Sequence, residues 1–176
     1  MAVATQTASA LLTLEEYLRT SYHPDCDFVD GHIEERNLGE YEHNNLQAAL
    51  IAWFFNRGPE WNIRVLPEQR TRVGQTMVRV PDVCIVPRDG VIEQVRTTPP
   101  ILCIEILSPE DRTSRAVRVL NDYLAMGVSN LWLFDPIDRT VFIYSETGLK
   151  LVEASRLVVP NSPIFLDLTQ LFATLD

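Results

Sequence analysis

Residues 79–107 read RVPDVCIVPRDGVIEQVRTTPPILCIEIL. Two apolar runs flank a polar loop, and each carries one acid. Asp82 stands at the mouth of the first run, directly after Pro81, and Glu105 sits inside the second. Short apolar runs bounded by proline have the length of buried strands. Pro81 keeps Val80 out of the helical region, which puts Asp82 at an edge or bend where its side chain can be aimed. An ionised carboxylate in apolar surroundings is costly unless a cation meets it. One acid from each of two adjacent strands is a common way to present oxygen to a divalent ion. Alternation places Ile101, Cys103, Glu105 and Leu107 on one strand face. That pattern suits a bound cation or a solvent-facing Glu105, and the run alone leaves both open.

Downstream, residues 108–127 (SPEDRTSRAVRVLNDYLAMG) form a loop and then a helix, with Asp111 or Thr113 as its cap and Gly127 as its stop. Ala116, Val119, Leu120, Tyr123 and Leu124 make the buried stripe. Arg112, Arg115 and Arg118 line another side near its start. They suit a phosphate, or a solvated face paired with Glu110, Asp111 and Asp122. LWLFDP is a buried strand, TVFIYS pairs back on it as a hairpin, and a last helical turn falls around residues 169–175.

Upstream, Thr13 and Glu16 form a capping box before a short helix. Asp30-Gly31 between apolar pairs marks an antiparallel hairpin. Residues 40–55 carry a helical stripe of Leu46, Leu50, Trp53 and Phe54, with Gly58-Pro59 as the expected end. A strand is expected over 61–66, and another over 76–80 after a turn at 73–75. His43 and Gln47, four apart, share one side of the long helix. His43 suits a phosphate, a ligand or a metal-bound water; the plainer alternative is a hydrogen-bonded residue near a helix end. Glu40 and Glu42 are best placed to add a third carboxylate, and acids are also ordinary at a helix N-terminus.

The 176 residues suit one domain over 13–176, with 1–12 loose. Apolar content of 46% fits a packed core. A formal net charge of -9 works against binding nucleic acid by bulk attraction, leaving only a local basic groove. Cys26, Cys84 and Cys103 read as buried free thiols. No signal peptide or membrane-spanning run is present, so a cytoplasmic protein is expected. Trp53, Phe54, Phe55 and Trp61 are a candidate contact surface for a homodimer, with core packing as the alternative.

Taken together, LTLEEYL, FVDGHIEERNLGEYEH, VPDVCIV, PPILCIEILSPEDR, NDYLAMGVSNLWLFDP and SPIFLDLTQLF span nearly the whole chain. In these pieces the chain resembles the Uma2-like family of the PD-(D/E)XK, restriction-endonuclease-like superfamily. The resemblance implies an α/β fold with a mixed central sheet flanked by helices. It implies an endonuclease that hydrolyses DNA phosphodiesters with Mg2+ or Mn2+. Asp82 and Glu105 would then be metal ligands, with the Ile106 carbonyl as a third and Glu40 or Glu42 as the helix acid. The superfamily's lysine two residues after the Glu is Leu107 here. The alternative lysine place in relatives, four before the tyrosine, is Val119. Lys150 lies in a distant hairpin. Arg115, then Arg118, are the nearest surrogates, and His43 is a candidate for proton transfer. Arginine stabilises charge but stays protonated, so it is no general base. The other reading is a catalytically silent member that binds a nucleic acid or a protein.

Overall fold

The computed structural model describes residues 11–36, 40–108 and 113–176. Thr13 caps α1 (Leu14–Arg19), and Glu16 reaches back to the Thr13 amide, completing the capping box. Asp30 and Gly31, at φ +47 and +89, turn β1 (Asp27–Val29) into β2 (His32–Glu34). Next come α2 (Tyr41–Trp61), β3 (Ile63–Pro67), β4 (Thr71–Gly74), β5 (Met77–Arg79) and β6 (Val83–Pro87). After the polar loop follow β7 (Leu102–Ile106), α3 (Thr113–Met126), β8 (Leu131–Asp135), β9 (Thr140–Ser145) and β10 (Gly148–Leu151). The chain finishes with β11 (Arg156–Val158), β12 (Phe165–Asp167) and α4 (Leu168–Ala173).

The main sheet has six strands in the order β10-β9-β8-β7-β6-β3. Its pairings are antiparallel except β7 with β8, which α3 joins as a crossover. A four-stranded antiparallel sheet, β2-β1-β5-β4, extends the expected hairpin, and β11 with β12 makes a third. Alternation sorts the main sheet's side chains cleanly. Val83, Ile85, Leu102, Ile104, Ile106, Trp132 and Phe134 pack with the α2 stripe. Cys84, Cys103, Leu131 and Leu133 pack with Val119, Leu120 and Tyr123 of α3. The acids Asp82 and Glu105 follow the even–odd pattern of Cys84 and Cys103, so both fall on the α3 side.

Two expected boundaries shift. Helix α2 does not end at Gly58-Pro59 but runs to Trp61, and β3 starts at Ile63. Pro59 forgoes its own amide hydrogen bond and crowds the carbonyl four residues back, yet burying Trp61 against Phe54 carries the last turn past it. The stop comes from Asn62 at φ +53, whose amide donates to the Gly58 carbonyl. A Cβ on Gly58 would stand 3.0 Å from the Ile63 carbonyl oxygen, so only glycine lets the turn close this tightly.

The aromatic cluster weighed as a contact surface belongs to the fold instead. Phe54 and Trp61 are buried. The Trp53 indole donates to the Phe165 carbonyl at 2.7 Å, and the Arg57 guanidinium lies 3.6 Å from its ring centroid. Phe55 alone of the four is fully exposed. All three thiols are free and buried, as expected. Among the described residues, no helix is long and apolar enough to cross a membrane. Residues 1–10, Asp111 and Arg112, which carried expectations of a loose terminus, a cap and a phosphate contact, lie outside the described residues.

Candidate active site

Where β6 and β7 separate, the last registered pair is Val83 with Ile104. The amide of Ile106 therefore has no β6 carbonyl to meet. Asp82 supplies the acceptor: its Oδ2 takes the Ile106 N–H at 2.8 Å. This is the physical meaning of Pro81-Asp82 before the strand, since a side chain replaces the ladder at its frayed end. A strand residue points its amide and carbonyl to the same edge, so the Ile106 carbonyl belongs to this edge too.

Three more groups converge on Asp82. Arg36 pairs through Nη2 with Oδ1. His43 Nε2 stands 3.4 Å from Oδ2. Gln47, one turn after His43, donates to the Asp82 main-chain carbonyl at 2.9 Å. The sharing of one side of α2 by His43 and Gln47 thus anchors the helix start to the strand end. Burial would raise Asp82, but the contacts from His43, Arg36 and the Ile106 amide outweigh it and hold the carboxyl below its ordinary range. Burial opposes a charge on His43, and the Asp82 carboxylate overrides it, lifting the imidazole above its ordinary value.

Glu105 faces the same cleft and is partly accessible from it. Tyr123 donates from its hydroxyl to Oε1 at 2.8 Å. Burial and the neighbouring Asp82 charge push Glu105 well above the usual carboxylate range, against Arg36 and Tyr123. The two acids therefore behave as a close like-charged pair, one held ionised and the other driven toward its neutral form.

The cleft has a cavity volume of about 50 Å³ and is open to solvent on one side. Its walls include Asp27, Arg36, His43, Arg115 and Val119 beside the acid pair. Arg115 donates to the Glu35 carbonyl at 2.8 Å while lining the cleft. Arg118 does not line it; it is largely exposed, 3.7 Å from Glu34. Glu40 precedes α2 and Glu42 sits in its first turn, both exposed and neither lining the cleft. The acid that does join from outside the strand pair is Asp27 of β1, buried at the cleft wall. Its Oδ1 accepts the Val80 amide at 2.9 Å and its Oδ2 accepts Arg79 at 2.9 Å. Leu107 and Val119, the two places where the family resemblance predicts a lysine, are both cleft-lining residues.

Arg36, Asp27 and Tyr123 are the site residues that sequence reasoning missed. Arg36 and Asp27 flank the Asp-Gly hairpin, and β1 pairing with β5 delivers them to the Asp82 end of the chain. A signal existed for Tyr123, since it shares the helical stripe that must pack over Glu105.

Among the described residues, no group of three or more His, Cys, Asp or Glu is arranged to hold a metal. Two carboxylates with an adjacent carbonyl edge nevertheless suit Mg2+, which keeps several waters and commonly takes only one or two protein carboxylates. The mutual repulsion of Asp82 and Glu105 is itself what a cation would relieve.

A mixed sheet flanked by helices, with acids from two antiparallel neighbours facing one cleft, defines a restriction-endonuclease-like α/β protein. The chain belongs to the Uma2 family, whose description is "Putative restriction endonuclease" and which matches residues 14–174. A crystal structure of a "putative nuclease belonging to DUF820" from Anabaena variabilis superposes with a TM-score of 0.79 at 23% identity, covering 94% of this chain and 99% of that one. That likeness is one of fold. No curated protein matches the chain.

Proposed function

We propose that the protein is a cytoplasmic endonuclease that hydrolyses DNA phosphodiesters with Mg2+ or Mn2+. The carrying observation is the Asp82–Glu105 pair: two acids from adjacent strands, facing one cleft, with opposite pKa shifts. Asp82, Glu105 and the Ile106 carbonyl would hold the ion, which supplies charge neutralisation on the phosphate and a more acidic water. Tyr123 orients Glu105, and the Ile106 amide with His43 orients Asp82. Arg115 is placed to meet a phosphate oxygen entering the cleft. His43, whose imidazole Asp82 lifts above its ordinary value, is better set to give a proton than to take one. Three buried thiols suit a reducing compartment.

The test is cleavage of supercoiled plasmid and single-stranded DNA with Mn2+, comparing the wild type with Asp82→Ala prepared identically. Cleavage that disappears in the variant supports the proposal. Equal cleavage by both proteins points to another site or a contaminant, and none by either removes the enzyme reading.

A second reading, a catalytically silent nucleic-acid or protein binder, is favoured by Leu107 and Val119 at both lysine places. Salt-sensitive binding of DNA without hydrolysis would select it. A homodimer is also proposed. Its contact would use large apolar side chains left uncovered, Val91 and Ile92 together or Phe55. A monomer in light scattering at micromolar concentration would remove it.

A further inference from the structure

We propose that Arg36 is the resident counter-cation of the acid pair and competes with the divalent ion for it. The inference rests on the proposed reading of the cleft as a divalent-ion site. Arg36 follows β2 and reaches into the cleft with its side chain only 14% exposed. Its Nη2 pairs with Asp82 Oδ1, and its Nη1 stands 3.6 Å from Glu68. Glu105 and Asp27 add their field to those of Asp82 and Glu68, so four carboxylates bear on one guanidinium.

The occupancy of Asp82 makes the competition specific. A carboxylate oxygen offers about two acceptor sites. Oδ2 already faces the Ile106 amide and the His43 imidazole. Oδ1 faces Arg36. A cation joining Asp82 to Glu105 must therefore approach through Oδ1, beside or in place of the guanidinium. At contact distance in a site largely shielded from water, a fixed positive charge weakens binding of a doubly charged ion strongly. Arg36 cannot shed its charge at any working pH. The cleft thus carries a built-in cation that sets how much divalent metal is needed to load it.

The experiment is Mn2+ titration by calorimetry of the full chain, comparing wild type, Arg36→Met, Arg36→Lys and Asp82→Asn. Arg88→Met is the control for net charge, because that exposed arginine follows the opposite end of β6. Arg36→Met should bind Mn2+ at least about tenfold tighter than wild type, with Arg36→Lys and Arg88→Met within about threefold of it. Unchanged or weaker binding by Arg36→Met overturns the inference, and if wild-type binding is still lost in Asp82→Asn the metal reading stands without it. No binding by any variant overturns both.

Thermal melts in EDTA supply a metal-free readout and guard against misfolding. Arg36→Met should melt below wild type, because the acid pair loses its neutralising charge, and Arg36→Met/Glu105→Gln should recover part of that loss. A double variant no better than Arg36→Met would overturn the claim that Arg36 neutralises the pair.

Discussion

Val119 occupies the wall of the cleft on α3, 7% exposed, at the place where the family resemblance predicts a lysine. Replacing it tests whether the chemistry lacks only that ammonium. Val119→Lys should raise Mn2+-dependent cleavage above wild type, read as initial rates on plasmid. It should also cost about 1–3 kcal/mol of stability, because a longer side chain enters packed surroundings. An unchanged rate in a folded variant would show that the arrangement here does not use a lysine. The thiols make a separate residue-scale prediction. Burial pushes Cys84 up to about 12 and Cys26 up to about 11. Iodoacetamide at pH 8 should leave both unmodified in the native protein and alkylate them in denaturant, as read by mass. The sign of the accompanying pH effect follows directly. Above about pH 8.5 the unfolded thiols ionise while the folded ones stay protonated. The unfolded state then binds fewer protons, so the thiols make stability fall as pH rises through that range. Denaturant unfolding at pH 7.5 and 9.5 measures the fall.

At the scale of elements, the charged cluster under α3 ties the four-stranded sheet to that helix. Arg79, on β5, is 1% exposed and meets Asp27 of β1, Glu34 of β2 and Asp122 of α3. Its partners are all acids, so removing it leaves three carboxylates with no shared cation. Arg79→Met should destabilise by about 3–5 kcal/mol, the usual cost of stranding buried charge. Chemical denaturation measures it, and a loss below about 1 kcal/mol would mean that the acids find other partners. The acid-bearing strands and the Asp-Gly hairpin are legible in the sequence, whereas β4 falls partly on the turn expected over 73–75. Alternation and turn chemistry are local signals, and they place Cys84, Cys103 and Glu105 without any knowledge of distant pairing. The end of α2 was not legible, because Pro59 is a local stop that the burial of Trp61 overrules. Arg36 was hidden for a different reason. It lies 46 residues before the carboxylate it meets, and only the pairing of β1 with β5 brings the two together.

For the molecule as a whole, the sole lysine, Lys150, stands on β10, three strands from Glu105 on β7. At strand spacing that is about 14 Å across the sheet, too far for a side chain to reach the cleft. Positive charge near the acids comes instead from arginines and His43, which suits holding a phosphate better than removing a proton. With a net charge of -9, that local cationic rim works against the field of the rest of the chain. The pairing of β1 with β5 also shapes how the protein is made. Phe28 meets Val78 in the finished sheet, and fifty residues separate them. At about 5–20 residues per second, a ribosome needs roughly 2–10 s to supply the second strand after the first. A hairpin alone is marginally stable in water. The nascent β1-β2 ribbon, with Phe28 covered by Tyr17 but not yet by Val78, must therefore wait for its partner, and during that interval it leaves apolar surface open to other chains.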